Sequence, residues 1–149
     1  MDIHVTFPGG KRVDAQLGAH VVRTDQPTDL GGGDSAPAPF DLFLASLATC
    51  AGIYVLGFCQ ARGLSTIGVS LIQRHRFDEV THRLERVELE LVLPDAFPEK
   101  YRAAVVRAAE QCKVKKTLAA PPEIVVSRIV SSAPDARETR GSVAMPGSA

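Results

Sequence analysis

Tryptophan is absent from this sequence, and neither sign of charge is in excess. With a net charge of zero there is no basic field to draw nucleic acid or anionic lipid. Aromatic residues are too few to offer a platform on which bases could stack, so no nucleic-acid partner is expected. Cysteine is scarce as well. Three, with no Cys-x-x-Cys among them, argue against a disulfide framework and a zinc site. The histidines His4, His20, His75 and His82 lie apart and form no ligand pair, so neither a metal nor a cofactor is expected. The opening MDIHVTF lacks a basic stretch followed by an apolar one, so no signal peptide is expected. The expected location is cytoplasmic, where thiols stay reduced and available for chemistry.

What the chain does have is one long uncharged stretch. LFLASLATCAGIYVLGFCQA, from Leu42 to Ala61, is apolar on every side, the pattern of a helix buried all round. Its length reaches the range of a bilayer span. Ala45, Ser46, Ala48, Thr49, Cys50, Ala51, Gly52 and Gly57 dilute its hydrophobicity, however, and only Arg62 gives a basic flank. The expectation is therefore a soluble core helix and no membrane. A chain of 149 residues forms one domain and cannot easily cover such a helix alone. A homodimer whose partner supplies the remaining cover is expected.

Around this helix the pattern is one of hairpins. Residues 2–7 alternate as a strand, Pro8-Gly9-Gly10 turns the chain, and Lys11 to Leu17 gives the second strand. Ala19 to Thr24 can add a third. Asp25 to Pro39 is a Gly- and Pro-rich loop, long enough to be functional. Pro39 suits the first helical turn, and Asp41 places a carboxylate where the helix dipole favours one. Gly63 stops the helix. Ile67–Phe77 and Leu84–Leu93 form the next hairpin, the latter with Val87, Leu89, Leu91 and Leu93 on one face. Pro98 opens a second helix, on whose stripe Tyr101, Ala104, Val105, Ala108 and Cys112 align. A further helical turn over Lys113–Ala120 and a last strand over Glu123–Val130 complete one domain, residues 1–130. Residues 131–149 read as a polar, flexible tail. Strands in hairpins rather than alternating with helices predict an α+β fold with antiparallel sheets around two long buried helices.

Cys50 and Cys59, nine positions apart, lie about 180° apart around their helix and cannot pair. Cys112, on the other helix, can face Cys50. The residues alone leave two readings open: three small core hydrophobes, or a working thiol pair.

The run PAPFDLFLASLATCAGIYVLGF, preceded by LGGGD and followed in a helical region by QCKVKKTL, resembles the OsmC/Ohr family of thiol-dependent hydroperoxide reductases, and within it the less characterised OsmC-like branch. The resemblance implies the OsmC-like fold as an intertwined homodimer. It implies a peroxidatic thiolate at Cys50, resolved to a disulfide by Cys112 and restored by an external dithiol reductant, with an organic hydroperoxide as substrate. It also implies an arginine near the thiolate, for which Arg12 is the match and Arg23 the fallback, and a carboxylate to hold that arginine. The family glutamate falls at Phe40, leaving Asp41 one residue on, about 100° further round the helix. Lys113 likewise stands where the family often has proline. Phe40, Phe43, Leu47, Tyr54 and Phe58 are candidates for an apolar substrate pocket, and equally for core. The leading expectation is a thiol peroxidase. The alternative, motivated by Phe40, is a small apolar-ligand-binding or redox-sensing protein.

Overall fold

The computed structural model describes residues 1–129. Strands β1 (Ile3–Gly9), β2 (Arg12–Leu17) and β3 (His20–Val22) form an antiparallel sheet in sequence order. Gly9 and Gly10 turn its first hairpin with φ of 117° and 62°, a region that favours glycine. The sheet pairs Ile3 with Leu17 and Val5 with Ala15, so these apolar side chains share one face, yet Ile3, Val5 and Phe7 remain exposed. β4 (Ser70–Phe77) and β5 (Leu84–Val92) form a separate antiparallel hairpin. Its pairs Leu71–Leu91, Gln73–Leu89 and His75–Val87 share a face.

The loop from Asp25 contains a 3-10 turn over Thr28–Leu30 and is organised by the Asp25 carboxylate. That group accepts hydrogen bonds from the Ser35 hydroxyl (2.7 Å) and from the backbone N–H groups of Ser35, Gln26 and Gly33. The Ser35 hydroxyl, then the Ser35 and Gln26 N–H groups, hold its pKa at about 2 against the opposing effect of burial. Gly32 is obligatory here, because a Cβ would lie 1.8 Å from the Gln26 carbonyl oxygen.

The central helix α1 (Pro39–Gln60) begins at the proline expected in its first turn. Pro39 occupies its first turn, and the Asp41 carboxylate accepts from the Ala38 N–H (3.3 Å). It is long and apolar enough to span a bilayer, with a mean hydropathy of 2.0. Burial on every side is not what one chain provides. Leu44, Leu47, Ala51, Val55 and Cys59 form a single buried stripe, whereas Ile53 is 60% and Phe40 48% exposed. The β4–β5 hairpin and two short helices leave the rest of its surface uncovered.

Helix α2 (Glu99–Ala109) packs on α1 through Val105, which joins Val55, Cys59 and Phe97 in the core. It ends before Cys112. Gln111 and Cys112 donate to Ala108 and Ala109, closing the last turn tightly, and Cys112 becomes the extended N-cap of α3 (Lys113–Ala119). Cys112 is thus buried in a junction between helices and not on the stripe of α2. The strand expected over Glu123–Val130 does not form: residues 123–129 are irregular, with Val126 and Ile129 exposed. Apolar alternation without a neighbouring strand makes no ladder. Val130 and the expected tail, 131–149, lie outside the described residues.

Candidate active site

Cys50 is half-buried on α1 and opens into a cleft of about 380 Å³ lined by Phe43, Lys113, Val114, Thr117 and Leu118. The first turn of α3 faces it. The backbone N–H of Val114 hydrogen-bonds the Cys50 sulfur and holds its pKa below the ordinary thiol value. Burial opposes this, while the Cys112 thiol, the Lys113 N–H and the Lys113 charge reinforce it.

Cys112 behaves oppositely. Burial pushes its pKa up, and the hydrogen bond and charge of Cys50 add to the rise. The Lys115 N–H, donating to the Cys112 sulfur at 3.4 Å, offsets part of it. The single S–H of Cys112 has two acceptors within reach, the Leu47 carbonyl at 3.8 Å and the Cys50 sulfur. The two thiols are therefore pushed in opposite directions, Cys50 down and Cys112 up, and the Cys112 S–H donates to the Leu47 carbonyl. Cys59 sits in the α1–α2 core, where burial raises its pKa. It takes no part in the site.

The other predicted residues divide. Phe43 walls the cleft. Leu47 is buried beneath it, giving its carbonyl to Cys112. Phe40 stacks against Phe43 (5.5 Å between ring centroids) and Phe77 (6.3 Å), in a neighbouring groove with His82, Arg83 and Leu84. Tyr54 lies on the exposed side of α1. Phe58 packs in the core, edge-on to Tyr101. Arg12 donates to the Pro8 carbonyl (3.2 Å) and lines another cleft, with Asp25 and the glycine loop. Arg23 is exposed. Asp41 caps its own helix. Within one chain, neither Arg12 nor Asp41 is brought to Cys50, nor are they paired with each other among the described residues.

Val114, Thr117 and Leu118 are the site residues that sequence reasoning missed, and Lys113, noted beside Cys112 and in place of the family proline, lines the cleft of Cys50 instead. Val114 acts through its backbone, which leaves no trace in side-chain type. Cysteine is not a usual N-cap, so the start of α3 at Cys112 carries no familiar signal. Among the described residues there is no group of three or more His, Cys, Asp or Glu side chains able to hold a metal.

The sequence profile of OsmC, described as OsmC-like protein, matches residues 31–127. The chain belongs to the OsmC-like family. The match includes both Cys50 and Cys112 and begins after Arg12. Several solved structures share the fold. A candidate osmotic stress induced and detoxification response protein of Psychrobacter arcticus superposes with a TM-score of 0.66 at 22% identity, over 77% of this chain and 85% of that one. An organic hydroperoxide resistance protein OsmC of Legionella pneumophila gives 0.52 at 19% identity, over 79% and 89%. An organic hydroperoxide resistance protein of Elizabethkingia anophelis gives 0.54 at 21% identity, over 78% and 87%. At these identities the likeness is one of fold, and it confirms the α+β class. No curated protein matches the chain in sequence.

Proposed function

We propose that this OsmC-like protein is a thiol peroxidase that reduces organic hydroperoxides at Cys50 and Cys112. The observation that carries this reading is that Cys50 opens into an apolar cleft with its pKa lowered, while Cys112 is buried at the start of the helix that faces it with its pKa raised. The Cys50 thiolate attacks the terminal peroxide oxygen; an S–O bond forms, the O–O bond breaks, and the organic half leaves as an alkoxide that takes a proton to become the alcohol. The Cys112 sulfur then displaces hydroxide from the sulfenic acid, giving a disulfide and water. An external dithiol, acting by exchange, restores both thiols. The organic hydroperoxide resistance proteins that share the fold add support.

The working form on this reading is a cytoplasmic homodimer. The uncovered apolar side of α1 and the exposed apolar face of the β1–β3 sheet are the surfaces a second copy would bury. Arg12 and Asp41 would then act across that interface.

Turnover of an organic hydroperoxide with a dithiol tests the proposal. Cys50→Ser is expected to lower the rate by about a thousandfold or more, whereas Cys59→Ala retains it. Equal losses in both would mean damaged packing and would remove the assignment of Cys50.

A second reading has its own observation. Phe40 occupies the family carboxylate position, and an apolar cleft of about 410 Å³ lies between α1, the β4–β5 hairpin and the two shorter helices. A protein that binds a small apolar molecule or senses redox state would use that cleft. Binding of an apolar fluorescent probe that persists in Cys50→Ser, with no peroxide turnover in the wild type, is the result that would favour it.

A further inference from the structure

Helix α3 is fastened to the fold through sulfur. Its seven residues are too few to persist as a helix on their own, and none of them is buried. Cys112 caps the helix by accepting from the Lys115 N–H (3.4 Å). The S–H of the same residue donates to the Leu47 carbonyl of α1 (3.8 Å). A serine or aspartate would cap more strongly, and neither would change with redox state. The helix is also a shared wall. Apart from Cys50 itself and Phe43, every residue lining the Cys50 cleft belongs to α3. Leu118 also borders, with Lys115, the larger apolar cleft beneath the β4–β5 hairpin.

We propose that α3 is a redox-gated lid, closed over Cys50 and Cys112 while they are thiols and loosened when they join in a disulfide, so that a dithiol reductant can enter. The proposal rests on the pairing of these two cysteines in the peroxidase reading, and not on which oxidant makes the bond. In forming it the cysteines give up two electrons and two protons; a hydroperoxide takes them as alcohol and water, and diamide takes them as its hydrazine. A disulfide has no S–H to offer the Leu47 carbonyl. It also has no anionic sulfur to strengthen the hydrogen bonds of the first N–H groups of α3. No buried side chain on α3 compensates, so the helix frays from its start. The opening serves the next step. Cys112 is 1% exposed, and a closed lid would keep a dithiol from the bond. With the lid loose, a thiolate of the reductant attacks one sulfur, the S–S bond breaks, and the other cysteine leaves as a thiolate. The second thiol of the reductant then closes its own disulfide and releases the first cysteine. The restored thiols cap α3 again.

The test uses the full chain carrying Cys59→Ala, held reduced or joined at Cys50–Cys112 with diamide, which requires no peroxidase activity. Amide hydrogen exchange is followed over α3 (Lys113–Ala119), with α2 (Glu99–Ala109) as the internal reference. Exchange over α3 is expected to be about fivefold or more faster in the disulfide form, with α2 unchanged. Cys112→Ala, kept reduced, is expected to speed α3 in the same sense, and Cys112→Ser to restore its protection. Equal or slower exchange of α3 in the disulfide form overturns the lid, and so does a Cys112→Ala variant whose α3 is unmoved. Failure of diamide to join the two cysteines overturns the lid and the peroxidase reading together. A lid that loosens with diamide, in a protein that leaves hydroperoxides untouched, defeats the peroxidase reading alone. A rigid α3 in a protein that turns hydroperoxides over defeats the lid alone.

Discussion

At the scale of single residues, the molecule uses buried polar atoms sparingly and for position. Asp25 is the clearest case. Its carboxylate collects the donors of the loop that leads into α1, and nothing in its side-chain type sets it apart from the exposed Asp29 and Asp34. The folded pKa of about 2 lies below the ordinary 3.8. The ionised form is thus favoured by folding, so its contribution is complete above the ordinary value and is lost as pH falls towards 2. A thermal melt series is expected to show Tm falling between about pH 5 and pH 2, with the slope reduced in Asp25→Asn and a lower Tm for that variant at neutral pH. Gly32→Ala is expected to cost about 1–3 kcal/mol or more in denaturant unfolding, since the Gln26 backbone would have to move. The cysteines show how much of the site the sequence revealed. Cys50, Cys59 and Cys112 could be sorted by helical angle into a possible pair and a bystander. The donors of Val114 and Lys113 could not, because they depend on where one helix ends and the next begins.

Elements were more legible than junctions. The alternation of Val87, Leu89 and Leu91 and the turn at Gly9-Gly10 led directly to β5 and the first hairpin, since both rest on local physics. The strand expected at Glu123–Val130 is not seen over residues 123–129 because alternation says only that a segment suits a sheet, and among the described residues no neighbour offers a ladder. Cys112 fell outside α2 for a similar reason. The apolar stripe continues past Ala109, while the backbone closes its last turn and restarts. The α1–α2 contact through Val105 holds the two helices together. Val105→Ala is expected to destabilise the protein by about 2–3 kcal/mol through lost burial and a residual cavity. It is also expected to raise the reactivity of Cys59 towards a bulky thiol reagent, because that cysteine is buried by the same packing. Unchanged stability would mean that the helix pair is not the core of the fold.

At the scale of the whole molecule, one chain leaves its own design incomplete. α1 is apolar all round, yet only the stripe from Leu44 to Cys59 is covered. The β1–β3 sheet presents Ile3, Val5 and Phe7 to solvent. Two unmatched apolar surfaces on one small chain are the expected complement of a second copy. Replacing Ile53, 60% exposed in the single chain, by Glu should be tolerated by a monomer but should place an unpaired charge inside a dimer. Light scattering is expected to give a dimeric mass for the wild type and a monomeric one for Ile53→Glu; equal masses would mean that this face is not the interface.

The central claim is that Cys50 and Cys112 form one redox pair while Cys59 stands aside. The reduced protein has three free cysteines. Titration of free thiols after adding a single equivalent of an organic hydroperoxide, followed by peptide mapping, tests this most directly. The expected result is that two of the three thiols are lost, with Cys50 and Cys112 in one disulfide and Cys59 still free. Retention of all three, or a disulfide that includes Cys59, would contradict the account.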